Sequence, residues 1–183
     1  MLYPGDSIRN EKWEFARVYD FSVFATFDCG DGDLNDFIRN DAAIHKEELI
    51  AETYSFKFTD IATPPLAFVS LLNESIELTT NRLKRRIDNR VRVYPEYPAV
   101  KIGRLGVDKD YCRLGIGSTM LDILKEMFTT NNRTGCRFIT VDAYNSPEVL
   151  SFYQRNDFEF LPTEEPLNGT RIMFFDLKNW PRG

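Results

Sequence analysis

The sequence predicts a mixed α/β fold, an α+β arrangement in which a mostly antiparallel sheet is flanked by helices and holds one central parallel strand pair. Three observations predict it. Strand-like segments outnumber helical ones; the two kinds alternate only in the second half of the chain; and residues 99–143 alone read as strand, crossover helix and parallel strand. With 183 residues, 43% hydrophobic and 14% aromatic, the chain is long enough for one well-buried core and short for two. A single domain over residues 1–183 is expected.

Trp13 to Val18 reads as the first strand. Asp31-Gly-Asp-Leu-Asn-Asp opens a helix capped by Asp31 or Asp33, with Leu34, Phe37, Ile38, Ala42 and Ile44 as its apolar stripe and an end near Leu49. Thr53 to Thr59 sets Tyr54, Phe56 and Phe58 against Thr53, Ser55 and Lys57, as a half-buried strand does. A corner at Pro64-Pro65 turns it into an antiparallel partner, Leu66 to Leu72. Thr79 or Thr80 caps a short helix from Asn81 to Asp88, and Pro95 and Pro98 end that segment in a loop. A strand from Ala99 to Val107 leads to a helix that starts at Gly115, carries Ile116, Met120, Leu121, Leu124, Met127 and Phe128 on one side, and stops near Asn131. Arg137 to Ala143 is the next strand, Pro147 starts a helix through Arg155, and Phe158–Leu161 and Thr170–Leu177 are the last strands.

A net charge of −5 argues against a protein coated for nucleic acid. The charge is uneven, however: Arg82, Lys84, Arg85, Arg86, Arg90 and Arg92 surround Asp88, a +5 segment that leaves −10 on the rest. Such a run reads first as a solvated face and second as a patch that steers a polyanion. Cys29, Cys112 and Cys136 are odd in number and widely spaced, which argues against a disulfide framework, and with His45 they offer no zinc spacing, so no metal is expected. His45, among Lys46, Glu47 and Glu48, reads as a solvated residue. The longest apolar run, Leu66 to Leu72, is too short to span a bilayer, and the first residues lack a signal-peptide pattern; a soluble, cytoplasmic protein with no membrane partner is expected.

The chemistry is concentrated between Val100 and Leu121, where a strand, a glycine turn and a helix follow one another. Gly115 and Gly117 allow the main chain to approach a ligand, and the free N–H groups of the first helical turn point at an anion, so a phosphorylated cofactor is the expected occupant. Upstream, the apolar positions change phase from Val100 and Ile102 to Leu105 and Val107, with Gly103 at the change. A strand buried on both faces gives this pattern, and so does a bulge. A bulge would splay the strand from its parallel neighbour and leave main-chain groups for an extended ligand.

Arg104-Leu-Gly-Val-Asp108, Gly115-Ile-Gly117, Val141-Asp-Ala-Tyr-Asn145 and Phe152-Tyr153 together resemble the GNAT superfamily of acyl-CoA N-acyltransferases, over roughly Val100 to Phe158. Phe27-Asp-Cys-Gly30 with Leu34-Asn35 and Phe37 resembles the start of one branch, which includes acetyltransferase toxins that modify aminoacyl-tRNA. The resemblance implies acetyl-CoA as cosubstrate and no metal. It implies that the main chain of Leu105, Gly106 and Val107 holds the pantetheine arm and acetyl group, and that Cys112, Arg113, Leu114, Gly115, Ile116, Gly117 and Ser118 wrap the pyrophosphate. Asn145 would touch the cofactor, a main-chain N–H near Val107 would stabilise the oxyanion, and Tyr153 would protonate the departing thiolate.

Two positions depart from the family pattern. Cys112 stands where Gln or Arg is usual, and Asp157 precedes Phe158 where glycine is usual, at a helix end that asks Asp157 or Asn156 for a left-handed conformation. Tyr153 also reads as a packing residue beside Phe152, and Cys112 as a plain loop residue. Glu52, Asp108 and Asp142 are carboxylates near strand ends, and spacing selects none of them as a base. The expected reaction is direct transfer of acetyl from acetyl-CoA to a primary amine of a small molecule or protein, the acidic body favouring a small cationic acceptor. Aminoacyl-tRNA is the alternative acceptor, and a non-catalytic CoA-binding or interaction module the alternative class. A homodimer is open, since exposed strands of such folds often pair.

Overall fold

A computed structural model of the chain describes residues 7–59, 64–130, 134–162 and 169–181. Eight strands form one sheet in the order β1-β2-β3-β4-β5-β6-β8-β7. The pairs β1/β2, β2/β3, β3/β4, β6/β8 and β7/β8 are antiparallel. Neighbours β5 (Glu96–Val107) and β6 (Phe138–Tyr144) are joined by the crossover helix α4 (Ile116–Thr129) and form the parallel pair. The chain divides into two compact units, residues 1–72 with 102–123 and residues 73–101 with 124–183. Each is described by itself.

The first unit holds β1 (Ser7–Arg9), β2 (Trp13–Arg17), β3 (Glu52–Phe58), the start of β4 (Ala67–Glu77) and the end of β5. Phe15 pairs with Phe56, and Thr53 with Ser70, so the expected alternation fixes the register. Strand β1 is an addition to the sequence reading: its three residues are all exposed and carry no periodicity to read.

The helical stretch is α1 (Gly32–Asp36), a π turn (Phe37–Asp41) and α2 (Ala42–Glu47). Asp31 is the cap, its carboxylate accepting from Leu34 N at 3.1 Å. The π turn adds a residue to the helical period, and two expectations fail beyond it. Ile44 is 55% exposed and leaves the apolar stripe, and His45 lies half-buried with its ring edge 5.3 Å from Phe37. The stripe that remains, Phe37, Ile38 and Ala42 with the partly buried Leu34, packs with Val18, Phe24 and Phe27 against Phe68 of β4.

Strand β5 slips phase where expected. A Cβ at Gly103 would lie 2.7 Å from Leu72 Cδ2, and one at Gly106 would lie 2.7 Å from Phe68 Cε1. Phe68 and Leu72, four residues apart, share a face of β4, but residues 103 and 106 are three apart and share a face only if the alternation breaks once between them. Arg104 also reaches this face, its guanidinium 5.3 Å from the Phe37 ring. The break therefore falls at Gly103–Arg104, and Leu105 and Val107 take the opposite face.

The second unit holds the rest of β4 and β5, α3 (Asn81–Lys84), the end of α4, β6, α5 (Pro147–Arg155), β7 (Glu159–Phe160) and β8 (Thr170–Asp176). Its core is Ile76, Leu78, Leu83, Tyr97, Ala99, Phe138 and Phe174. Helix α3 is shorter than expected, with Thr80 as its cap. Helix α5 has the expected bounds, with Ser146 accepting from Val149 N and Pro147 in the first turn. Helix α4 ends at Thr129; the expected end at Asn131 lies outside the described residues.

Candidate functional site

In the first unit, β5 ends at Val107 and a 3-10 turn, Lys109–Tyr111, leads into the loop before α4. Arg113 and Gly115 both have positive φ, 66° and 80°. These two left-handed residues turn the chain so that successive N–H groups face outward together. Among the described residues, the main-chain N–H groups of residues 113–118 make no backbone hydrogen bond; the first one used is Thr119 N, donating to Gly115 O at 2.9 Å. Nothing lies within 4 Å of a Cβ built at Gly115, so the loop is open on that side. A row of free donors at the start of a helix fits the diphosphate of a coenzyme A thioester.

Cys112, Arg113, Leu114 and Gly115 are exposed, Gly117 and Ser118 half-buried, and Ile116 is buried at 3% exposure. Ile116 can therefore offer a ligand only its main chain. Cys112 is held locally: its Sγ lies 3.5 Å from Asp108 O. On β5, Leu105 and Val107 are half-buried and Gly106 is buried against Phe68. The structure thus brings Leu105–Val107 and Cys112–Ser118 into one unit, at the end of one strand and the start of the next helix.

Asn145 and Tyr153 belong to the second unit. Asn145 is exposed at the end of β6, its N–H donating to Gly169 O at 2.9 Å. Tyr153 is buried on α5, its ring 5.0 Å from Phe152 and 5.3 Å from Phe158. Burial pushes the Tyr153 phenol above its ordinary range, so it stays protonated. The packing role is thus real, and the buried hydroxyl is neutral. Asp157 takes the left-handed position, φ 65°, next to Asn156 at φ −101°, and Asn156 Nδ2 donates to Phe152 O at 2.8 Å.

The three candidate bases are all engaged. Glu52 accepts from Lys46 Nζ at 2.6 Å, and Asp108 caps the 3-10 turn through Asp110 N at 3.0 Å. Asp142 pairs with Lys101 Nζ at 2.7 Å, and Glu74, which spacing had not suggested, pairs with the same ammonium at 3.0 Å. Burial opposes the charge of Lys101, but the hydrogen bonds to Asp142 and Glu74 outweigh it and raise its pKa. Each of these carboxylates thus has a hydrogen-bond or ion-pair partner.

The basic segment is only partly a free surface. Arg86 is half-buried and binds both oxygens of Glu159 at 2.8 Å, and Arg90 pairs with Asp88 at 2.7 Å. Lys84, Arg85 and Arg92 are exposed and make no ion pair among the described residues. Among those residues there is also no His, Cys, Asp and Glu group that could hold a metal, and no helix long and apolar enough to cross a membrane.

No family model matches the sequence. The tRNA(Met) cytidine acetyltransferase TmcA of Haemophilus ducreyi is 31% identical over 85 residues, which is 43% of this chain and only 14% of that protein's length. Among solved structures, a Tyr-to-Phe mutant of KacT superposes with a TM-score of 0.75 at 21% identity, covering 91% of this chain and 96% of the other. AtaT complexed with acetyl-methionyl-tRNAfMet gives 0.70 at 20% identity, over 91% and 95% of the two chains. AtaTR bound with AcCoA gives 0.68 at 19% identity, over 92% and 96%. Together with the strand order, these likenesses show that the chain has a GNAT-like fold.

Proposed function

We propose that the protein is an acetyl-CoA-dependent N-acetyltransferase whose acceptor is the amino group of an aminoacyl-tRNA. The observation that carries the reading is the row of free N–H groups over residues 113–118, at the start of a helix that follows β5. The acceptor rests on the AtaT complex with acetyl-methionyl-tRNA, on the tRNA acetyltransferase relative, and on Lys84, Arg85 and Arg92, which make no ion pair among the described residues. The −10 carried by the rest of the chain supports a second acceptor class, small cationic amines.

When bound, acetyl-CoA supplies an activated thioester. Residues 113–118 hold its diphosphate through main-chain N–H groups, without the side chain that Cys112 lacks. The main chain of Leu105–Val107 would align the acyl group, and an N–H near Val107 would stabilise the developing negative charge. As the C–N bond formed and the C–S bond broke, Tyr153 would give its proton to the leaving sulfur and regain one from water. The amine would lose its proton through water, since Glu52, Asp108 and Asp142 each already have a partner and nothing singles one out as a base. By the family resemblance, Asn145 would add a contact to the cofactor.

The test is transfer of radiolabelled acetyl from acetyl-CoA to charged tRNA, uncharged tRNA and polyamines in parallel. Label on charged tRNA alone is the expected result. Label on polyamines alone replaces the acceptor, and label on nothing, with acetyl-CoA bound, points to a binding module.

A further inference from the structure

The segment Phe27-Asp-Cys-Gly30 with Leu34-Asn35 takes no part in the chemistry above, yet its polar groups are bonded to the turn that carries the cofactor loop. Asp28 is the hub. Its carboxylate accepts from Lys109 Nζ at 2.7 Å, from Asn35 Nδ2 at 2.8 Å and from Gly30 N at 2.9 Å. Its carbonyl accepts from Lys109 N at 2.9 Å, and its N–H lies 3.5 Å from Asp108 Oδ2. Asn35 in turn accepts from Cys29 N at 3.0 Å, and the Arg39 guanidinium of the π turn donates to Phe27 O. On the other side, Asp108 N donates to Leu66 O at 2.8 Å, fixing the same turn to the start of β4.

We infer that Asp28, oriented by Asn35 and paired with Lys109, is a positioning latch for the anion-binding loop. The inference rests on the cofactor reading above and adds residues to it. Residues 109–111 are one 3-10 turn, and only Cys112 separates them from Arg113, the first of the left-handed residues that aim the N–H row. The loop has two left-handed positions, and among the described residues its N–H groups over 113–118 donate no backbone hydrogen bond, so the aim of that donor row depends on the hold the loop has at the turn before it and at the start of α4. The latch supplies this from one side through a main-chain and a side-chain bond to the same residue, Lys109. The hydrogen bond from Lys109, then those from Gly30 and Asn35, hold the Asp28 carboxyl well below the usual carboxylate range, so the latch stays charged at neutral pH. Preorganised donors bind an anion without a cost of ordering at the moment of binding, so loosening the latch weakens affinity and leaves the chemical step alone.

The test compares wild type with Asp28→Asn, Lys109→Met and the double variant, and uses Lys57→Met, which breaks the Lys57–Glu14 pair elsewhere in the same unit, as a control. Acetyl-CoA affinity is measured by calorimetry, turnover at saturating acetyl-CoA, and amide exchange over residues 109–117. Expected are an increase of about tenfold in Kd for each single variant, no further increase in the double, faster exchange over 109–117, and turnover within about twofold of wild type. The control changes none of these. Folded variants that bind acetyl-CoA as tightly as a binding wild type overturn the latch alone; a wild type that takes up no acetyl-CoA overturns the cofactor reading and the latch with it.

Discussion

Arg86 grips Glu159 with both carboxylate oxygens at 2.8 Å from Nη2, and its guanidinium lies 5.4 Å from the Phe174 ring. A cation held this way is a structural clasp between the end of α3 and β7, not a free charge on a basic face. Arg86→Met should lower the stability of the protein by about 1–2 kcal/mol in urea unfolding and leave tRNA affinity near wild type. Neutralising Lys84, Arg85 and Arg92 together should do the reverse: little change in unfolding, but weaker tRNA binding whose dependence on log salt flattens by about 2.

Asp157 occupies a left-handed helix end at φ 65° that glycine takes without steric cost. Asp157→Gly should therefore stabilise the protein by about 0.5–1 kcal/mol, a rise of roughly 1–4 °C in Tm, read by calorimetry.

Most elements were legible because their signals are local. The cap at Asp31, Pro147 after Ser146, and the alternation of Tyr54 and Phe56 each sit within a few residues of the structure they specify. The phase slip at Gly103 was legible as well, but its cause was not: Leu72 and Phe68 leave no room for a Cβ at Gly103 and Gly106, a fact about a neighbouring strand. The π turn at Phe37–Asp41 escaped for a related reason, since a single added residue changes no composition yet moves Ile44 to solvent and His45 onto Phe37. At the site, the glycine loop could be read from spacing, whereas the engagement of Glu52, Asp108 and Asp142 depends on partners far away in sequence or on side-chain geometry. The same is true of Asp28, whose partner Lys109 lies 81 residues on.

Two glycines make opposite predictions. At Gly106 an added Cβ meets Phe68 Cε1 at 2.7 Å, so Gly106→Ala should cost about 1–3 kcal/mol in stability, recovered in part by Phe68→Leu. At Gly115 the space is open but φ is 80°, so Gly115→Ala should cost only about 1 kcal/mol and show its main effect as weaker acetyl-CoA binding.

Burial pushes the Cys136 thiol up to about 11, from 9.0. The folded value lies above the unfolded one, so the unfolded chain releases this proton first as pH rises; the contribution is intact below about pH 9 and lost up to about pH 11. Tyr153, also raised by burial, adds a loss of the same sign above its ordinary value. Urea midpoints followed from pH 8 to 11 should fall less steeply in Cys136→Ala than in wild type, by at most about 1.4 kcal/mol per pH unit.

The most direct test of the central claim is Tyr153→Phe, followed by acetyl-CoA affinity and by transfer to charged tRNA in one preparation. Phenylalanine keeps the ring between Phe152 and Phe158 and removes only the proton donor. The claim predicts a Kd for acetyl-CoA within about twofold of wild type and a transfer rate lower by about 10²–10⁴. A transfer rate equal to wild type, with the same Kd, would contradict it.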